Sequence, residues 1–429
     1  MQKQTIKNER VREEYEVINH PSGLTILLYP MQGFSSAYAL FAAKYGSVDT
    51  TFKTNEDKDF ITVPEGIAHY LEHKLFENDE CNADGRVDAF QLYAETGANA
   101  NAYTSFDKTA YLFSCSQKFE ENLKILLKFV QEPYFTDESV AKEQGIIAQE
   151  IKMYRDEPSW RVFFNGLQAL YHSNPVRIDI AGTADSIAKI DKDLLYRCYK
   201  TFYNLNNMVL SIAGNFDVTS TLKICDELLK PTPDLKVEAV FPDEPGEVKQ
   251  CETVQKLTCA MPIFNVFFKL PAYEGYENAE KYITYNIILE TVLGKTSAFY
   301  NHLTNEGLIN NNFAVGVLNG RGFFTLTADG ESCDPRKVFA EIKAALKAAK
   351  TDFPKTEFEN VRKKTYGELV AMLGSVSSTA TAMMDAHFHG NNLFDQIEVT
   401  AGLTYEDVIK TLSELDEENS CISIIEPID

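Results

Sequence analysis

The stretch FTDESVAKEQGIIAQEI, Phe135 to Ile151, returns in altered form as FPKTEFENVRKKTYGEL, Phe353 to Leu369. Each copy sets a phenylalanine ahead of a helical pattern, and Glu150 and Glu368 fall at the same distance from Phe135 and Phe353. Such an echo predicts duplication of one folding unit. The order of elements around it agrees. The first half opens with strand patterns (YEVINHPSGLTILLYP, SSAYALFAAKYGSVDT), then two helical stretches, an alternating hairpin (NANAYTSFDKTAYLFSCS), long helices and a buried strand (NMVLSIAGNFD). The second half repeats strands, helices, a strand pair, long helices and a last strand, SCISIIEP. The expected class is α+β, with two homologous domains, each an antiparallel-rich sheet packed with helices.

A chain of 429 residues exceeds what one hydrophobic core normally supports. Between 231 and 255, four prolines, many charges and little helical periodicity mark a linker. The chain therefore divides into an N-terminal domain, 1–230, the linker, 231–255, and a C-terminal domain, 256–429.

The chemistry lies in the first copy. EGIAHYLEHKLFEN, Glu65 to Asn78, holds two of only seven histidines, four residues apart, with a glutamate directly before the second. On a helix His69 and His73 are about 40° apart and Glu72 lies within about 100° of both, so all three point to one side. Two imidazoles at that spacing can share one Zn2+, and a carboxylate beside them can take a proton from a water acidified by the metal. His-x-x-Glu-His is the inverted form of the zincin motif. Catalytic zinc needs a third protein ligand. In the helix beginning near Thr136, Glu143 and Glu150 are seven residues apart and share a face, with apolar Ile146 and Ile147 between them. Carboxylates on a core-facing stripe are expensive unless a metal or hydrogen bonds compensate. The helix YITYNIILETVL, which should correspond in the second half, has no paired histidines, so metal chemistry belongs to the first copy.

HYLEH followed by these two glutamates resembles the pitrilysin/insulinase family of inverted-motif zinc peptidases, which includes the mitochondrial processing peptidase. The resemblance covers essentially the whole chain. GANANAYTSFDKTAYLF, and MYRDEPSWRV with IDIAGTADSIAKI, are similar to its short two-domain, bacterial processing-protease-like branch. The resemblance implies that His69, His73 and Glu150 are the zinc ligands, Glu72 the general base, and Glu143 a carboxylate that orients a ligand and so assists catalysis. It also implies that Asn101 and Ala102 lie on an edge strand holding substrate backbone in extended form. One departure bears on activity. The family places an arginine and a tyrosine in the pattern Arg-x-x-x-Gly-Leu-x-Tyr, where they contact substrate and stabilise the oxyanion. The matching LTNEGLIN keeps Gly307 and Leu308 but has Leu303 and Asn310 at those two positions. Two-subunit relatives divide these groups between a zinc-bearing chain and a metal-free partner. The expected partners are therefore a peptide substrate and a paralogous subunit supplying the arginine and tyrosine, or else a second copy in a homodimer.

Composition narrows the setting. A formal charge of −22 disfavours nucleic acid and anionic membrane surfaces. The start of the chain has no apolar segment of the secretory kind, and no long uncharged apolar run follows. Eight scattered cysteines without a C-x-x-C pair suit free thiols in a reducing, cytoplasmic, bacterial setting. LGKTS at 293–297 lacks the first glycine of a phosphate-binding loop. The aromatics of PSWRVFFNGLQALY sit at helical spacing and read as core. Two function classes remain: a zinc endopeptidase working in a closed chamber, and a noncatalytic scaffold or peptide-binding subunit of the same fold.

Overall fold

The computed structural model describes residues 2–76 and 89–428; Cys81 and residues 85–88, the expected start of a second helix, lie outside them. The fold is mixed α+β and contains two compact units. The first holds a seven-stranded sheet in the order Gln2–Asn8, Glu13–Asn19, Thr25–Pro30, Met208–Gly214, Ala37–Ala43, Thr109–Cys115, Asn99–Thr104. Thr25–Pro30 and Met208–Gly214 run parallel, and every other neighbouring pair is antiparallel. The second unit holds five strands in the order Glu252–Leu257, Ser420–Pro427, Ile263–Leu270, Phe323–Glu331, Ala314–Gly320. Here too one pair is parallel, Glu252–Leu257 with Ser420–Pro427, and the rest are antiparallel. Five strands of the first sheet thus recur in order and direction in the second, which is the duplication seen in the repeated helix. Phe135 and Phe353, which anchor that repeat, are both buried.

The units are not the two contiguous halves. The first comprises Met1–Ile151, Asp179–Val240 and Ala371–Phe388, and the second Lys152–Ile178, Phe241–Val370 and His389–Asp429. One helix from each half completes the other unit. Val376–Phe388 packs on Ala37–Ala43 and Met208–Gly214, covering the sheet face opposite the core that the first-half helices build. This is why MVLSIAG, 208–214, is buried along its whole length: it has helices on both faces. Its one hydroxyl, Ser211, donates to the carbonyl of Ala380 on that helix at 2.7 Å. In the second unit Pro158–Leu170 lies on Ile263–Leu270 and Ser420–Pro427. The approach is close enough that a Cβ on Gly166 would sit 2.0 Å from the Phe267 ring, so only glycine fits there.

The segment read as a linker is pinned in place. Glu238–Ala239 pairs with Thr51–Lys53 in the first unit. In the second, the Glu244 carboxylate accepts from Lys269 Nζ at 2.6 Å and from the backbone N–H groups of His172, Ser173 and Asn174 at 2.7–2.8 Å. Burial pushes this carboxyl up, but Lys269 and the three N–H groups outweigh it and hold the pKa at about 2. Glu244→Ala leaves the buried Lys269 ammonium without its carboxylate, with only the Glu247 carbonyl at 2.9 Å, and is expected to destabilise the unit by about 3 kcal/mol, measured as a lower melting temperature. The folded pKa lies below the ordinary glutamate value, so this contribution is present above about pH 4.5. It is lost as pH falls from there towards 2, and Glu244→Gln should show a flatter stability profile over that window.

Candidate active site

The histidine helix, Ile67–Phe76, is anchored at both ends within the first unit. Gly66 enters it at φ +86°, where a Cβ would meet the Ala181 carbonyl at 2.4 Å. Ser186 Oγ donates to the Glu65 carbonyl at 2.9 Å, so the turn AGTADS buttresses the helix start. From the same helix the Tyr70 hydroxyl donates to the Val140 carbonyl and Lys74 Nζ to the Ser139 carbonyl. These contacts tie the helix to the start of Asp137–Arg155, which Thr136 caps by accepting from the Ser139 N–H. Ile67, Ala68, Tyr70, Leu71, Leu75 and Phe76 are buried, while His69, Glu72 and His73 share the remaining, partly open side.

Onto that side the second helix delivers its glutamates. Glu150 Oε1 lies 3.8 Å from His69 Nε2, and Glu150 Oε2 lies 3.5 Å from His73 Nε2. One donor atom from each of the three residues lies within 4.8 Å of the others. A tetrahedral zinc with bonds of about 2.0–2.1 Å holds its ligand atoms roughly 3.4 Å apart, so this donor set of two imidazoles and a carboxylate fits zinc. Glu143, 1% exposed, sits behind it with Oε1 2.9 Å from His73 Nδ1. A proton on Nδ1 donated to that carboxylate leaves the Nε2 lone pair directed at Glu150's side of the site.

Electrostatics distinguish the two imidazoles. Burial, reinforced by His73, lowers the His69 pKa to about 3, so its imidazole is neutral and available as a ligand. For His73 burial acts downward, but the hydrogen bond that its Nδ1–H donates to Glu143 and the charges of Glu72, Glu143 and Glu150 together raise its pKa. Burial raises the pKa of Glu72 against the opposing effects of His73 and of a hydrogen bond from Thr104. Thr104 Oγ1 donates to Glu72 Oε2 at 3.0 Å. Thr104 has no motif to announce it; the only signal is its place two residues after Ala102 in an alternating strand.

Asn99–Thr104 ends the seven-stranded sheet, so one side of it has no neighbouring strand in that sheet. Alternation puts Ala102 and Thr104 on the Glu72 side and Asn101 on the other. The Ala102 N–H donates to the Asn101 Oδ1 at 2.9 Å. Leu303 is fully buried in the second unit's core, and the Asn310 amide donates to Glu331 at 2.6 Å. Neither position carries a cation or a phenol.

If Glu143 orients His73, Glu143→Gln should weaken zinc binding by about 10–100-fold while leaving the fold intact. Competition against a chromophoric chelator measures this directly, and unchanged affinity would remove Glu143 from the site.

Comparison with known proteins follows the same geometry. Residues 62–184 match the family model described as insulinase, peptidase family M16, and residues 189–365 match the peptidase M16 inactive domain. The chain is 38% identical over 414 residues to an uncharacterized zinc protease, YmfH, of Bacillus subtilis, covering 95% of each. A crystal structure of an M16-like peptidase from Alicyclobacillus acidocaldarius superimposes with a TM-score of 0.92 at 34% identity, covering 96% of this chain and 98% of that one. Pitrilysin shares the fold at 15% identity and a TM-score of 0.75, with 99% of this chain matched to 46% of that one.

Proposed function

The chain belongs to the insulinase family, peptidase family M16, and from that premise we propose that it is a zinc-dependent endopeptidase acting on peptides and unfolded segments. The observation that carries this reading is the convergence of His69, His73 and Glu150 beside a buried Glu72. His69, His73 and Glu150 would hold a zinc ion, which when bound would supply an acidified water and a Lewis acid for the scissile carbonyl. Glu72 takes the water's proton and returns it to the leaving amine, a role suited by its raised pKa. Thr104 fixes the carboxylate's orientation, and Glu143 fixes the His73 ring. The substrate backbone adds to the strand Asn99–Thr104, taking the Ala102 N–H from the Asn101 side chain. Recognition through backbone groups tolerates many side chains.

Leu303 and Asn310 leave this subunit without the oxyanion-stabilising pair, and one such donor is worth about a hundredfold or more in rate. We therefore assign the missing arginine and tyrosine to a paralogous, metal-free subunit that closes a chamber with this chain. The seven free cysteines among the described residues favour a reducing, cytoplasmic setting. Among the described residues no helix is long and apolar enough to cross a membrane. The same two substitutions favour a second reading, a noncatalytic scaffold or peptide-binding subunit.

The deciding experiment is cleavage of an unstructured peptide mixture by the zinc-loaded chain, alone and with the paralogous subunit, read by mass spectrometry. The expected result is weak cleavage alone and a rise of about a hundredfold on mixing. Efficient cleavage by the chain alone would sink the two-subunit reading. Bound zinc with no cleavage in either state would leave the scaffold.

A further inference from the structure

The helix Pro158–Leu170 does not cover its sheet face completely. At its N-terminal end a cleft of about 500 Å³ opens in the second unit, lined by Trp160, Phe163, Asn265, Asn312, Asp329 and Glu331 among others. The sequence alone reads these aromatics as core, yet Trp160 is only half-buried and faces a cavity. Phe163 lies 6.0 Å from Phe267 between ring centres, which identifies the sheet face. Asn265, two residues from Phe267 on its strand, shares that face. In the strand register Asp329 stands directly opposite Asn265, so both side chains project beside each other from the floor of the cleft.

Asn265 is 6% exposed and its Oδ1 is buried without a hydrogen-bond partner among the described residues. A buried polar atom left in that state costs about 1–3 kcal/mol, which is a reason to look for a missing donor. No ion pair engages Asp329 among the described residues, and burial alone raises its carboxyl's pKa. Glu331 adds a second carboxylate, steadied by amide donors from Asn310 and Asn312. Among the described residues no lysine or arginine lines the cleft. Two carboxylates and an amide oxygen without a cation, walled by an indole and a phenyl ring, match a planar organic cation rather than a bare metal ion, for which the space is far too large. A guanidinium satisfies several acceptors at once and stacks on aromatic faces.

We propose that this cleft is a binding pocket for the guanidinium of an arginine side chain carried by a bound peptide, held by Asp329 and Asn265 against Trp160. The peptide origin of that side chain rests on the peptidase reading above; the pocket's preference for a guanidinium does not.

Trp160 is the chain's only tryptophan, so its fluorescence reports occupancy of the cleft. The test is titration of the full chain, kept in chelator, with acetyl-arginine amide and with the neutral isostere acetyl-citrulline amide. The arginine compound should change the emission saturably, the citrulline compound should bind about tenfold or more weakly, and Asp329→Asn should weaken arginine binding by a similar factor. Asn265→Leu, on a different strand, should weaken it as well. Melting curves and unligated emission identify any variant that has lost its fold. Equal binding of the two compounds, no response to either, or affinity unchanged in both variants overturns the proposal. Because zinc is absent throughout, failure here leaves the peptidase reading untouched, and an inactive peptidase would not alter the titration.

Discussion

Glu72→Gln is expected to leave zinc bound and to reduce peptide cleavage by about 10²–10⁴-fold, the span over which a positioned base contributes. The substitution is close to isosteric. Thr104 can still donate to the amide oxygen, and the histidine helix keeps its anchors at Glu65, Val140 and Ser139. What disappears is the basicity of a carboxyl whose pKa burial raises towards the working range. Zinc content by atomic emission and cleavage by mass spectrometry must be read on one preparation. Retained zinc with retained cleavage would take Glu72 out of the reaction, and lost zinc would mean that it also helps hold the metal.

Removing the metal should abolish activity altogether and lower stability as well, which Glu72→Gln should not. A zinc ion held by the folded donor set and not by the separated side chains would, at a thousandfold excess over its dissociation constant, add about 4 kcal/mol to folding. Chelation is therefore expected to lower the melting temperature by several degrees and to eliminate cleavage, with both restored by added zinc. His69→Ala should reproduce the chelated state and resist restoration, since it removes one of the three donors that meet within 4.8 Å. Melting that ignores both chelator and zinc, together with no zinc uptake, would show that the three donors hold no metal.

The sequence carried these donors because a helix converts spacing into direction. His69, Glu72 and His73 share a side by helical geometry alone, and Glu143 and Glu150 share one by their seven-residue interval. That the two sides face each other required more than periodicity, namely the resemblance of the combined pattern to a peptidase family. Thr104 was hidden because threonine is an ordinary strand residue, and only its contact with Glu72 gives it meaning. Asn265 and Asp329 were hidden for another reason: their neighbourhood depends on strand register, which no local pattern encodes. Trp160 shows the limit of hydrophobic spacing, which says that a helix buries a face but not where the covering ends. The same limit concealed the exchange of helices. PSWRVFFNGLQALY and VSSTATAMMDAHF each carry buried residues, and neither reveals which sheet will take it.

That exchange imposes an order on the birth of the molecule. The last strand of the first sheet, Met208–Gly214, leaves the ribosome long before Val376–Phe388, the helix that seals its second face. At about 5–20 residues per second the sheet waits roughly 10–35 s with Val209, Ser211 and Ala213 uncovered on that side. The nascent chain therefore passes through a stage at which an apolar sheet face and an unpaired hydroxyl are open to water and to other chains. Truncation anywhere before residue 388 should trap that stage, yielding a zinc-site half that aggregates rather than a smaller working peptidase.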